Sequence, residues 1–324
     1  MAFKGRFLFA ILAVASLTIG SKFALAQRFP SKPVRIIVPF SAGMIDSVAR
    51  LLGEQLSKKW AQAVIVVNKP GAGGNIGAEL VAGAPGDGST FLMAGPSVVV
   101  NTALYDRVPY TLMKDLLPVT QVANAPFVVV VNPSVPARTL TELIAYARAN
   151  PGALNYGSGG IGTAAHLSGE LFKLKAGVDI IHIPYKGGAA TLAELLAGRI
   201  QMAVDTSSLY IQYIERGELR ALATPSATRI ANLPDVPTTS EAGLPDFVTG
   251  AWAGLMAPGG TPHAIIQQVS RDVAEVLADP ATRAKWSKLG IEAVGSTPEE
   301  FKFFMQAELE KWTEVIRASG AKVN

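Results

Sequence analysis

The chain has 324 residues, 49% hydrophobic and 17% charged, with 29 Lys and Arg against 25 Asp and Glu. This composition excludes a disordered protein, and the length suits a well-buried core divided between two domains. The absence of cysteine excludes disulfides, thiolate metal sites and a lipid-modified cysteine at the mature N-terminus.

The first residues, MAFKGRFLFAILAVASLTIGSKFALAQ, place Lys4 and Arg6 before an apolar run from Phe7 to Ile19 and end in Ala24-Leu25-Ala26. This is the three-part pattern of a secretory signal peptide, residues 1–26, cleaved after Ala26 to leave a mature chain that starts at Gln27. The run is shorter than the roughly 20 residues a membrane-spanning helix needs. Cleavage removes Lys4, Arg6 and Lys22 and no acidic group, so the formal net charge of +4 drops by three. The rest of the chain has no Lys/Arg cluster of the kind nucleic acid or anionic lipid requires, and no nucleic-acid partner is expected.

From residue 34 onward, short β-branched runs alternate with helical patterns. VRIIVPF (34–40) leads into a helix with Val48, Leu51, Leu52 and Leu56 on one face and Asp46 or Ser47 as a possible cap. The strand candidates continue with VIVVN (64–68), TFLMAG (90–95), FVVVVN (127–132), LNYGS (154–158), IIHIPY (180–185), IQMAVD (200–205) and LRALA (219–223). Amphipathic patterns over 263–278 and 298–318 close the chain with helices. The alternation predicts an α/β fold, with mostly parallel sheet flanked by helices.

Two stretches that mix strand-like runs with Pro, the second with Gly as well, 116–131 and 244–262, read as crossings between lobes. They predict a discontinuous first lobe, 27–124 and 247–324, around a second lobe, 125–246. A ligand then sits in the cleft between them.

Four turns join a strand candidate to a helix through glycine: PFSAGMID (39–46), NKPGAGGNIGAEL (68–80), YGSGGIGTAAH (156–166) and YKGGAATL (185–192). The second carries four glycines within residues 71–77. In open parallel sheets such turns lie at the carboxyl ends of strands, where ligands bind, and helix N-termini there favour an anion. Any one of them could be only a tight corner; four together point to an anion site.

Enzyme readings are thinner. Gly157, Gly159 and Gly162 fit a dinucleotide fingerprint with Asp179 downstream, but the turn lies mid-chain in a protein that carries an export signal. No cofactor is expected. His166, His182 and His263 show no zinc-binding spacing, and no G-x-S-x-G elbow occurs. His166 reads as a packing or supporting residue one turn into a helix. Lys186 is either a solvated turn residue or an anion contact. Asp205 either caps the next helix or faces the cleft, where it would select a ligand with a hydrogen-bond donor.

Taken in order, FPSKPVRIIVPFSAG, VNKPGAGGNIGAE, DLLPVTQVA, LNYGSGGIGTAAHLSGELFK, IIHIPYKGGAATLAELLAGRIQM, LRALA and LPDVPTTSEAGLPDF resemble the Bug receptors. These are periplasmic solute-binding proteins associated with tripartite tricarboxylate transporters, and the resemblance runs from about residue 29 to the C-terminus. It implies a two-lobed, type II-like periplasmic binding protein that closes on a small carboxylated solute. In this family amides, hydroxyls and water from both lobes, rather than a salt bridge, hold the carboxylate.

The contacts the resemblance implies are Ser41, Ala42 and Gly43 in the first turn, Gly73 and Gly74 in the second, and Ser97 after LMAGP. From the second lobe it implies Ser158, Gly162, Thr163, Lys186, Gly187 and Asp205. The implied partners are the carboxylate and the membrane permease subunits of such a transporter, with the receptor itself monomeric; presentation of the ligand to a sensor is the alternative. A hydrolase on the same scaffold lacks a nucleophile, base and orienter at recognisable spacing.

The first turn departs from the family pattern, with only SAGMI between Phe40 and Asp46. Met44 and Ile45 then either narrow and dry the cleft mouth, favouring a monocarboxylate with an apolar body, or turn into the first-lobe core.

Overall fold

The computed structural model describes residues 29–41 and 43–320. The proposed signal peptide and Ala42 lie outside them. The first strands and helices are β1 (Val34–Val38), α1 (Met44–Trp60), β2 (Val64–Asn68), a 3-10 turn (Ala72–Gly74), α2 (Asn75–Ala82), β3 (Thr90–Ala94) and α3 (Pro96–Leu104). Then come β4 (Leu116–Val131), α4 (Leu140–Ala149), β5 (Asn155–Ser158), α5 (Ala164–Ala176), β6 (Ile181–Pro184), α6 (Gly188–Leu196), β7 (Met202–Thr206), α7 (Ser207–Glu215) and β8 (Arg220–Ala223). The chain closes with β9 (Gly250–Pro258), α8 (His263–Ala278), α9 (Pro280–Lys288), β10 (Glu292–Ala293) and α10 (Pro298–Ser319).

All the strands belong to one curled mixed sheet, ordered β2-β1-β3-β9-β4-β7-β5-β6, with β8 and β10 paired to β4. The outer triplets, β2-β1-β3 and β7-β5-β6, are parallel, as βαβ connections require. Between them β9 and β4 run antiparallel to their neighbours, so the parallel pairing expected from the alternation holds within the triplets and not at the centre.

β4 changes partners midway: Leu116–Pro126 pair with β9, whereas Phe127–Val131 pair with β7 on one edge, and with β8 over 129–131. The change falls at Pro126, opposite Gly250. Proline has no N–H to give a ladder, and its place at the switch is where the ladder is already interrupted. The β-branched run Val128–Val131 that follows is fully buried, as expected of a strand packed on both faces.

The apolar faces gather on either side of this switch. In the first half, Ile36, Val48, Leu52, Phe91, Val269 and Val273 pack together. In the second, Phe127, Val129, Tyr156, Leu167, Phe172 and Val204 form the largest cluster. Helix α10 begins with a complete capping box, Thr297 and Glu300, around Pro298. It spans both halves: Phe301 and Met305 pack with first-half residues, and Trp312, Val315 and Ile316 enter the second-half cluster. Buried Glu308 ties these ends together, its Oε2 accepting from Trp252 Nε1 at 3.1 Å and Trp312 Nε1 at 2.9 Å while Lys311 pairs with Oε1.

Candidate functional site

Because β1, β2 and β3 run parallel, the turns into α1, α2 and α3 leave the same edge of the sheet, and the turns into α5, α6 and α7 do so in the second half. The two edges meet: Ser97 Oγ, in the first turn of α3, donates to the Gly162 carbonyl at 3.2 Å. Leu104 of α3 packs so closely that a Cβ on Gly162 would lie 2.8 Å from its Cδ2. The N-termini of helices from both halves therefore border one site. Their first amides have no intrahelical partner and carry partial positive charge.

In the first turn, α1 starts at Met44 with Gly43 as its N-cap, earlier than the caps expected at Asp46 or Ser47. Ser41 and Gly43 are exposed at its mouth. Asp46 is instead a brace: it accepts from Asn68 Nδ2 at 2.8 Å and pairs with Arg50, whose hydrogen bond holds its carboxyl below the usual range. Met44 and Ile45 pack against the first-half core, with Ile45 pressed onto Gly95, where a Cβ would lie 2.3 Å from its Cδ1. Of the two readings of the short turn, the inward one is the observed one.

The second turn runs Gly71, Ala72, Gly73, Gly74 with φ of 136°, 46°, 63° and 102°. Three of these four positive-φ positions are glycine, which adopts them without strain, and a Cβ on Gly73 would also meet Tyr105 Oη at 2.9 Å. Buried Asn101 fixes it, Nδ2 donating to the Gly73 carbonyl at 3.0 Å and to Asn75 Oδ1 at 2.9 Å, where Tyr110 Oη also donates at 3.0 Å. Gly74 is buried against Phe40, while Gly73 is exposed. Sequence reading missed Asn75, Asn101 and Tyr110; asparagine after an apolar run carries no spacing signal.

In the second half, Ser158 is fully buried, and its Oγ lies 2.7 Å from His182 Nε2 and within hydrogen-bond reach of both the N–H and the carbonyl of Gly160. Thr163 caps α5, accepting from His166 N–H and donating to the Gly160 carbonyl at 2.7 Å. The Gly162 N–H donates to His166 Nδ1 at 3.2 Å. Ser158, Gly162 and Thr163 therefore have these groups engaged inside the loop; they shape it. The amides of Ala164 and Ala165, ahead of the one Thr163 caps, are the first-turn donors of α5 that remain.

The Ser158–His182 pair joins residues 24 apart and was invisible as a spacing. It has the distance of a nucleophile and base, but burial pulls His182 down to about 4, which makes it a poor base, and Ser158 has no solvent access.

Gly187, φ 99°, is the N-cap of α6 and has open space where a Cβ would stand. Lys186 beside it is exposed and makes no ion pair among the described residues. Asp205 accepts from the Thr206 N–H at 2.7 Å rather than capping the first turn of α7, whose N-cap is Thr206. Its Oδ2 faces the start of α6, 3.6 Å from where a Gly188 Cβ would be. Although the residue as a whole is only half covered, the carboxyl lies deep, and burial pushes it up to about 6. Nearby in sequence, Ser207 Oγ and Tyr210 Oη are buried without a hydrogen-bond partner.

Two concavities lie elsewhere. One, ≈ 580 Å³, runs along α10 between Leu309 and Ala318; the other, ≈ 600 Å³, separates the start of α4 from residues 235–243. None of the four strand-to-helix glycine turns lines either. Among the described residues, no group of three or more His, Asp or Glu could hold a metal ion, and no helix is long and apolar enough to cross a membrane.

Residues 48–321 match the family described as tripartite tricarboxylate transporter family receptor. BugT of Bordetella pertussis is 36% identical over 320 residues, covering 98% of this chain and 98% of its own. The structure is similar to that of Rpa4515 of R. palustris with adipate, at a TM-score of 0.82 and 35% identity, covering 91% of this chain and 100% of that one. It is also similar to MatC of Rhodopseudomonas palustris with bound malate, at a TM-score of 0.78 and 30% identity, covering 89% of this chain and 100% of that one.

Proposed function

The chain belongs to the tripartite tricarboxylate transporter receptor family, whose members are solute-binding proteins and not enzymes, and we propose that it is a periplasmic receptor for a small carboxylate. It is exported by the signal peptide 1–26, acts as a monomer, and hands its ligand to membrane permease subunits. Lobe 1 comprises 27–124 and 247–324, and lobe 2 comprises 125–246. The ligand lies where the two sets of helix N-termini meet.

One observation carries this reading: the Ser97–Gly162 bond, which brings the start of α3 against the loop that opens α5. Uncapped amides from both halves then converge without an ion-paired cation, which suits a carboxylate held by neutral donors. The ligands of Rpa4515 and MatC, adipate and malate, are of that class. Ser41, Gly43, Gly73, Gly74, Ser97 and Gly187 line the site or shape it, and Lys186 stands at its rim. Asp205 accepts a hydrogen bond from a hydroxyl or amino group of the ligand when ionised, and disfavours a second carboxylate at the same place.

Calorimetry and thermal shift with adipate, malate and their amides test this. A free carboxylate should raise the melting temperature and compact the protein in solution scattering, with no product formed. An unchanged melting temperature across small carboxylates, or conversion of one of them, overturns the reading.

A further inference from the structure

Beside the loop Gly157–Gly162 lie two histidines in ring contact that the ligand contacts do not use. The rings of His166 and His182 are 4.2 Å apart, centroid to centroid, and His182 stacks in turn on Tyr156 at 4.8 Å. His166 is on α5, which the loop opens, and His182 on β6, which pairs with the strand β5 that leads into the loop, so the pair bridges the two sides of it. Each ring holds one end of it: His166 Nδ1 takes the Gly162 N–H at 3.2 Å, and His182 Nε2 meets Ser158 Oγ at 2.7 Å. Gly162 then offers its carbonyl to Ser97 of the other half.

We propose that His166 and His182 are positioning residues for the second wall of the cleft, and that His166, by holding the N–H of Gly162, fixes this residue so that its carbonyl, in the next peptide unit, meets the first half. This rests on the receptor reading of the cleft and deepens it.

A backbone N–H can only donate, so His166 Nδ1 must be bare, with the ring proton on Nε2. A charged His166 carries protons on both nitrogens and cannot accept that bond. His182 differs, since Ser158 can turn its hydrogen to the Gly160 carbonyl and receive one from either form of the ring. Loop shape thus depends on one protonation site.

The surroundings keep that site neutral. Burial lowers both rings below the ordinary histidine value. Glu170, four residues along α5, would favour a charged His166, but it already accepts from Tyr156 Oη at 2.6 Å and pairs with Lys173 at 3.1 Å. Lys173 acts in the opposite sense on His166, Lys173 and His166 do so on His182, and no charged group of β7, β9 or α10 contributes to either ring.

The test needs no known ligand. Nitrogen-detected NMR of the ligand-free protein should show His166 as the Nε2–H tautomer at pH 7, with a Gly162 amide protected from exchange. Acidification should move the Gly162 signal together with the His166 titration. His166→Leu should lose the protection, and His166→Asn, which keeps an acceptor near Nδ1, should retain it and lose the pH response. With adipate or malate as probe, His166→Leu should weaken binding about three- to tenfold, the usual range for one hydrogen bond, and His166→Asn should restore it. A Gly162 amide indifferent to His166 protonation, or an Nδ1–H tautomer, overturns the proposal. If neither acid binds while the amide behaves as stated, the carboxylate reading fails and the positioning role stands.

Discussion

The two glycine-rich turns, one in each half of the molecule, are alike in composition and braced by different chemistry. Gly71–Gly74 is held by Asn101, Asn75 and Tyr110, groups that stay uncharged across the ordinary pH range, the more so because burial raises Tyr110. Gly157–Gly162 is held by Ser158, Thr163 and two histidines. One wall is therefore indifferent to pH and the other is tied to it. Glycine content reports that the backbone must bend; the neighbouring side chains decide under what conditions it stays bent.

The largest expected effect is on the neutral wall. Asn101→Ala removes both bonds of a side chain that is 1% exposed, leaving the Gly73 carbonyl and part of Asn75 unsatisfied, at a cost of about 3 kcal/mol. Urea unfolding should give the same loss at pH 5 and pH 8. A loss that varies with pH would break the contrast between the walls.

A second effect is smaller and carries a sign. His182, pulled down to about 4, stays neutral in the folded protein while the unfolded chain takes up a proton below about 6.5, so its contribution falls away as pH drops from about 6.5 to about 4. His166 acts in the same direction. Asp205, pushed up to about 6, is protonated in the fold while the unfolded carboxylate is ionised, so it adds stability as pH drops from about 6 toward 3.8. The two trends oppose each other in one lobe. Asp205→Asn should expose the histidine trend as a stability that falls more steeply in acid, by about 1–2 kcal/mol once the Asp205 contribution is discounted for its partial exposure. A shallower acid slope in the variant would reverse the assignment.

Much of this was legible in the sequence where one local cause decides. The β-branched runs became strands at nearly their expected bounds, and the strand that changes partners, β4, coincides with the stretch 116–131 singled out for its mixture of strand-like runs and proline. Contacts between distant residues were not legible. Ser158 and His182 meet because β5 and β6 pair in parallel, with Tyr156 opposite His182, a register that neither segment encodes alone. Thr163 read as a ligand donor, but its hydroxyl is consumed by the cap and by Gly160, since a local bond wins over a more distant one. The direction of Met44 and Ile45 depended on the space beside Gly95, which only the packed β3–α3 corner defines. Likewise, nothing in the C-terminal pattern says that the last turns of α10 enter the second-half core.

The smallest expected effect tests whether charge also differs between the walls. A lysine stands just before the glycines on each side, Lys69 before Pro70-Gly71 and Lys186 before Gly187, and both are exposed without an ion pair among the described residues. Neither bonds to the fold through its side chain, so Lys69→Ala and Lys186→Ala should each leave the melting temperature of the free protein unchanged. They should part on ligand binding. Gly187 caps α6 with open space in front of it, so a cation beside it adds to a helix end that already favours an anion. Lys69 precedes a 3-10 turn whose first amides are partly used, Gly74 N–H donating to the Gly71 carbonyl at 2.9 Å. Lys186→Ala should therefore weaken a dicarboxylate about two- to fivefold at low salt and less at higher salt, as a screened surface charge does. Lys69→Ala should change it less than Lys186→Ala under both conditions. Equal losses from the two would mean that both rims attract the ligand alike, and the asymmetry between the walls would then lie in their bracing alone.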